Sequence, residues 1–340
     1  MQLSAINRER LRRFKANRRA VWSLRIFLFL FVFTLFAEVI CNERPLIVRF
    51  KSEFYFPIPF EYSETDFGGE FAVEADFRDP YIKELIAEDG WMLYTLIPYS
   101  YDTIIYDLPS PAPSPPTLQN WLGTDDKGRD VVARLVYGFR ISVLFGICLT
   151  ALGSLIGITV GAVQGYYGGK VDLLGQRLLE IWSGIPTLFL LIILSSVIEP
   201  NFWWLLGITL LFGWMGLVGV VRAEFLKTRT YEYVKAARAL GLSDIGIMTR
   251  HILPNAMVAS MTFLPFIVGG AITTLTSLDF LGFGLPTGSP SLGELLAQGK
   301  TNIHAPWLGI SSFAVLSILF GLLVFIGEGV RDAFDPRRSD

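Results

Sequence analysis

The chain has 340 residues, of which 52% are hydrophobic and 18% charged, and its net charge is −2. A pI of about 5.8 excludes the basic footprint of a nucleic-acid-binding domain, and the charged fraction falls below the roughly 25% of a soluble domain. Two cysteines (Cys41, Cys148) and two histidines (His251, His304) argue against a disulfide framework or a metal cluster.

Residues 1–23 form a basic N-terminus; eight basic residues lie between Arg8 and Arg25. A bilayer crossing needs about 20 mostly apolar residues, and charge-free runs give six candidate spans. The first is Leu24–Cys41, with Glu38 near its far end. It reads as an uncleaved anchor, because no small-x-small cleavage site follows it.

Residues 42–137 come next, with 17 acidic and eight basic residues. Asp79–Gly90 reads as one short helix ending at Gly90, inside a small mixed lobe with short strands over about Phe50–Tyr106. The Pro-rich run 108–117 acts as a semi-rigid spacer. The lobe serves either as a docking surface for an external partner or as a plain lid. In Trp121–Ser142, Thr124 or Asp125 is placed to cap a helix. Asp125/Arg129 and Asp130/Arg134 then sit four apart on it, acid first.

The core, residues 138–330, holds the other five spans. The second lies within Ile141–Tyr166. Its Gly153, Gly157, Gly161 and Gly165 recur every four residues, with Gly146 one heptad earlier, and present a smooth strip for close helix packing. The neighbour is either another helix of this chain or a partner chain. The third span is Leu178–Ile198, interrupted by Pro186, and the fourth is Pro200–Val221. The fifth lies within Ile252–Leu278 and the sixth is Ala305–Gly327.

Lysine and arginine set orientation. They gather in the N-terminus, at Lys170 and Arg177, between Arg222 and Arg250, and at Arg331, Arg337 and Arg338; the opposite short loops hold Lys300. Both termini and the 222–254 loop are therefore expected in the cytosol, with residues 331–340 a cytosolic tail.

Chemistry is scarce. "GYYGGKV" and "GELLAQGKT" miss the spacing of a phosphate loop. Glu38, Glu180, Glu199 and Asp279 stand near span ends rather than at the midplane, where an ion-coupled transporter keeps its carboxylates. Asp279 is a candidate for the mouth of a pathway, or an interfacial carboxylate facing water. No catalytic, cofactor-binding or metal-binding residue is assigned.

The loop "EYVKAARALGLSDIGIMTRHILP", Glu232–Pro254, reads as helix, glycine turn, helix. Glu232, Lys235 and Arg238 share one helical face; Val234, Ala237 and Leu240 share another. Gly241 suits a left-handed C-terminal cap, Ser243 an N-cap, and Pro254 an early helix position.

Ala236, Ala237, Gly241, Leu253 and Pro254 match the coupling-loop signature of permease subunits of ABC importers. Lys235 stands where that signature has glutamate, and His251 where it has isoleucine. "LGTDDKGRDVVARLVYGFRISVLFG" and "SLDFLGFGLPTGSPSLGELLAQG" resemble the flanks of the second and fifth spans in the dipeptide/oligopeptide/nickel subfamily. The matches run from about Leu122 to the C-terminus.

The resemblance implies an all-α polytopic membrane protein with six transmembrane helices and a type I importer permease (MetI-like) fold. The segment after the first helix would be an extracytosolic insertion. It implies a permease subunit importing peptides across a bacterial inner membrane, and not an enzyme. ATP would be bound by two partner ATPase subunits or one fused tandem ATPase. A second homologous permease, as a heterodimer, and a periplasmic solute-binding protein complete the set. Glu232, Lys235, Ala236, Ala237, Arg238, Leu240, Gly241, Leu253 and Pro254 would contact an ATPase. The rival reading is an ion-coupled secondary transporter of small solutes.

Overall fold

Apolar runs with few breakers give helices over most of the chain. The computed structural model describes residues 5–195, 198 and 200–334; Glu199 and residues 335–340, with Arg337 and Arg338, lie outside the described residues. Helix α1 covers Ala5–Ala16, α2 Arg18–Leu35 and α3 Ala37–Ile40. Strands β1 (Ile47–Phe50) and β2 (Glu53–Tyr55), helix α4 (Pro80–Asp89) and strand β3 (Gly90–Leu93) follow. The remaining helices are α5 Val131–Tyr167, α6 Gly169–Ser183, α7 Thr187–Ser195, α8 Phe202–Gly213 and α9 Met215–Thr228. After them come α10 Glu232–Ala239, α11 Asp244–Ile247, α12 Leu253–Phe280, α13 Leu292–Thr301 and α14 Pro306–Phe334.

Four helical stretches among the described residues are long and apolar enough to cross a membrane: Val131–Tyr167, Phe202–Thr228, Asp244–Phe280 and Pro306–Phe334. They cover, to within two residues at their starts, the second, fourth, fifth and sixth expected spans. The first is divided between α2 and α3 at Phe36, whose backbone leaves the helical region (φ −96°, ψ 28°). The third is divided between α6 and α7. Pro186 has no N–H to donate and its ring crowds the preceding turn, so α6 stops and the Pro186 carbonyl accepts the first bond of α7 from Leu190 N–H, 3.3 Å.

The chain divides into two compact units. One comprises Met1–Leu28, Ser142–Pro286 and Ser317–Asp340; the other comprises Phe29–Ile141 and Thr287–Leu316. In the second unit, β1 lies between β2 and β3 in an antiparallel sheet, with Val48 opposite both Tyr55 and Met92. The sheet and α4 bury Val48, Phe50, Phe67, Phe77, Ile82 and Ile86. Phe67 meets Phe50, Tyr55 and Phe77 edge-on, an arrangement that adds to its area burial. Asp79 caps α4 through Tyr81 N–H (2.8 Å). Gly90 ends this helix in extended backbone and begins β3, instead of turning left-handed.

Within the first unit the α5 glycine strip faces α9. A Cβ built on Gly161 would stand 2.7 Å from the Val218 carbonyl oxygen, and one on Gly165 would stand 2.5 Å from Phe225 Cβ. Gly157 meets the Trp214 carbonyl oxygen in the same way, and Gly153 lies at ordinary contact distance from Trp214. The neighbour of the strip is thus a helix of this chain. Gly146 faces Ile272 of α12, 2.8 Å from such a Cβ.

Candidate functional site

The elbow 232–254 follows α9. Val234 and Ala237 of α10 are buried with Ala162, Tyr166, Val221, Phe225, Ile247, Ile252 and Ala256, so one apolar face anchors the helix. Its end is a Schellman turn. Gly241 N–H donates to Arg238 O (3.0 Å) and Leu242 N–H to Ala237 O (3.2 Å), with Gly241 at φ +79°. The Ser243 hydroxyl then accepts from Gly246 N–H (3.2 Å) and caps α11.

From α11 the chain passes through a wide turn of π type, Met248–Ile252, straight into α12. The wider turn precedes Pro254, which donates no N–H and would crowd the carbonyl four residues back in a regular helix. No separate boundary stands between the elbow and the fifth expected span.

Leu240 departs from the expected apolar face. It follows α10 at the cap position, where the backbone is already turning, and its side chain is 80% exposed. Ile245 is 72% exposed, and Leu242 is exposed beside them. The inner face of the elbow is therefore Val234, Ala237, Ile247 and Ile252, and its outer face carries a small apolar group. Lys235 and Glu232 pair at 2.8 Å, both well exposed, a contact worth a fraction of a kcal/mol. Ala236 is exposed, Leu253 is half-buried, and Pro254 is exposed.

Tyr166, near the end of α5, ties both arms of the elbow together. Its hydroxyl donates to Asp244 Oδ1 (2.6 Å) and accepts from Arg238 Nη2 (3.0 Å). The Arg238 guanidinium also sits 5.5 Å over the Tyr166 ring, and its hydrogen bond to Tyr166 holds its pKa above the usual arginine value. Arg229 donates to the Tyr166 carbonyl (3.1 Å). Below the elbow, Arg222 Nη2 reaches Asp172 Oδ2 at 2.7 Å, a two-pronged pair joining α6 to α9. That bond holds the Asp172 carboxyl below its ordinary range. Tyr166 and Arg222 have no local sequence signal, because their partners lie 78 and 50 residues away.

The other two resembling segments meet in the second unit. Residues 121–130 form a loop, and α5 starts at Val131, capped by Asp130, whose Oδ1 accepts from Ala133 N–H (2.9 Å). Thr124 and Asp125 do not cap a helix. Asp125 Oδ1 instead folds the loop by accepting from Lys127 and Arg129 N–H, 2.9 Å each. The Asp125–Arg129 pair forms (2.7 Å) within this loop. The Arg134 side chain goes to Glu294 Oε2 (2.8 Å) rather than to the Asp130 carboxylate.

Arg129 reaches the other oxygen of Glu294 at 3.1 Å, and Arg134 Nε stands 3.4 Å from Asp125. Arg134 also donates to the carbonyls of Tyr101, Gly288 and Ser289. Asp125, Arg129 and Arg134 are almost wholly buried; Glu294 is 24% exposed. Two cations and two anions share one site. Burial works against the charge of Arg129, but its bond to Asp125 prevails and raises its pKa. Burial raises the carboxyls of Asp126 and Asp130.

Asp279 is half-buried in the last turn of α12. Its Oδ1 accepts from Leu285 N–H (2.7 Å). This closes a turn that begins with Gly282 at φ +81°. Among the described residues no group of three or more His, Cys, Asp or Glu is placed to hold a metal.

A family profile described as "binding-protein-dependent transport system inner membrane component" matches residues 141–340. One described as "N-terminal TM domain of oligopeptide transport permease C" matches residues 7–70. The chain is 61% identical over 338 residues to the inner membrane ABC transporter permease protein YejE of Escherichia coli (strain K12), covering 99% of each. It is 52% identical to the peptidoglycan transport system permease protein YejE of Agrobacterium fabrum, covering 99% of this chain and 94% of that one. The oligopeptide transport system permease protein OppC of Bacillus subtilis is 33% identical over 66% of this chain and 74% of its own length. Among solved structures, a chain of the MetNI methionine ABC transporter in an inward facing conformation aligns at TM-score 0.50 and 18% identity. The alignment covers 59% of this chain and 97% of that one, a likeness of fold.

Proposed function

We infer peptide import from one premise: this chain belongs to the family of inner membrane components of binding-protein-dependent transport systems. It is a multi-pass permease subunit of an ABC importer, a transport component rather than an enzyme, and ATP hydrolysis belongs to separate subunits. Its cargo is peptide. The observation that carries this is 33% identity, over 66% of this chain, to relatives named for oligopeptide and dipeptide transport, beside 61% identity over 99% of the chain to an inner membrane ABC transporter permease. A further relative is named for peptidoglycan transport, a material that contains peptide bonds.

The finer reading has six spans, the first made by α2 with α3 and the third by α6 with α7. Both termini are cytosolic, a placement supported by the basic flanks. The segment after the first span, with its β-sheet lobe, is then extracytosolic. A second homologous permease pairs with this one, a solute-binding protein delivers cargo, and two ATPase subunits or one fused tandem ATPase bind ATP. The elbow 232–254 docks on an ATPase. Its exposed Leu240, Leu242 and Ile245 supply the apolar contact, and Glu232, Lys235, Ala236 and the left-handed turn at Gly241 set its shape. Ala237, Arg238, Leu253 and Pro254 act from behind, fixing the elbow to the helices that move. Asp279 acts at the mouth through the turn it closes.

Uptake of a labelled peptide by cells with and without the chain tests the function. Loss on deletion and return on complementation are expected; uptake that is indifferent to the chain removes the assignment.

A further inference from the structure

The first unit contains a cavity of about 580 Å³ among α5, α7, α8, α9 and α12. This lies within the range of about 300–1,000 Å³ typical of small-molecule sites. Leu149, Leu191, Leu217 and Leu278 give it apolar walls, and no charged side chain among the described residues lines it. Hydroxyls are set into those walls, and their hydrogen bonds fix what they offer. Thr209 donates to the carbonyl of Leu205 (2.6 Å), Thr273 to that of Gly269 (2.9 Å) and Thr274 to that of Gly270 (3.0 Å). Each has spent its hydrogen on its own helix and presents lone pairs alone. Ser154 also lines the cavity, with its Oγ buried beneath the surface and without a partner.

We propose that this cavity is a cargo subsite that takes an apolar side chain together with its neighbouring peptide group. The apolar walls accept the side chain, and the threonine oxygens accept a peptide N–H. An ionised terminus or charged side chain is excluded, since nothing in the cavity offsets its desolvation. A lipid tail would fill the volume but leave every one of these hydroxyls unused. The subsite rests on the peptide-import reading above, and it makes this chain, not only a delivery protein, selective for cargo.

Gly270 lines the cavity, and a Cβ on it would meet no atom within 4 Å. A side chain added there therefore projects into open space. The test uses the full importer in proteoliposomes and three peptides of equal length and charge with a central Ala, Leu or Phe. Gly270→Leu should lower uptake of the Phe peptide relative to the Ala peptide by about tenfold or more. Gly270→Ala should shift the ratio in the same direction by less, and serves if the bulkier variant fails to assemble. Comparing each ratio with that of the unmodified complex cancels any preference of the binding protein. Equal loss for all three peptides, or an unchanged ratio, overturns the subsite and leaves peptide import standing. No uptake of any peptide by the unmodified complex overturns both.

Discussion

Replacing Arg134 with methionine probes the buried charge site that joins the loop 121–130 to α13. The arginine is fully buried, and its loss leaves Glu294 with Arg129 as its remaining cation and Gln298 as its remaining amide donor, while the carbonyls of Tyr101, Gly288 and Ser289 lose a donor. Breaking a buried pair by removing one partner costs about 3–5 kcal/mol. Glu294→Gln should cost less, about 2 kcal/mol, because Glu294 is 24% exposed and water covers part of the loss. The double variant removes one charge of each sign, leaving Asp125 and Arg129 as a neutral pair. It should be more stable than the sum of the singles by about 2–3 kcal/mol. At about 2–4 °C per kcal/mol, Arg134→Met should lower the thermal midpoint of the detergent-purified chain by about 6–20 °C. An unchanged midpoint for Arg134→Met, or strict additivity in the double variant, would refute the coupling.

Three further outcomes follow from other contacts. Gly161→Ala places a methyl 2.7 Å from the Val218 carbonyl, so α9 must shift; a stability loss of about 1–3 kcal/mol is expected in thermal melts. Gly241→Trp forces a side chain into φ +79°, a strain of about 1–2 kcal/mol. The chain should still insert, while ATP hydrolysis by the assembled importer proceeds without uptake; normal uptake would sink the coupling role. The Asp172 carboxyl is held low by its bond to Arg222. That bond thus contributes stability above the ordinary carboxylate range and loses it as pH falls through the lower folded pKa. Thermal midpoints between about pH 7 and about pH 3 should fall less steeply for Asp172→Asn than for the unmodified chain.

Local chemistry was legible where partners lie close in sequence. Gly241 and Ser243 serve as the turn and the cap that their residue types suggest, because capping is decided within four residues. The apolar core of the elbow was legible at Val234 and Ala237 but failed at Leu240, where helical periodicity was extended one residue past the helix. Asp125 folds a loop instead of capping a helix for a related reason. Spacing of four suggests a helix, but the bonds that fold this loop include one to Glu294, 165 residues from Arg129. Tyr166 and Arg222 were invisible for the same cause. Hydropathy found the four stretches that are long and apolar enough to cross a membrane among the described residues, and Pro186 marks the interruption of the third expected span, but nothing in the sequence marks the break at Phe36 in the first or at Trp214 in the fourth. At Pro186 the missing N–H outweighs the apolar character of its neighbours.

The most direct measurement is peptide accumulation in proteoliposomes that contain this chain, a partner permease, ATPase subunits and a binding protein. The account predicts accumulation that requires ATP, the binding protein and this chain together. Accumulation driven by an ion gradient without ATP would contradict it and favour a secondary transporter.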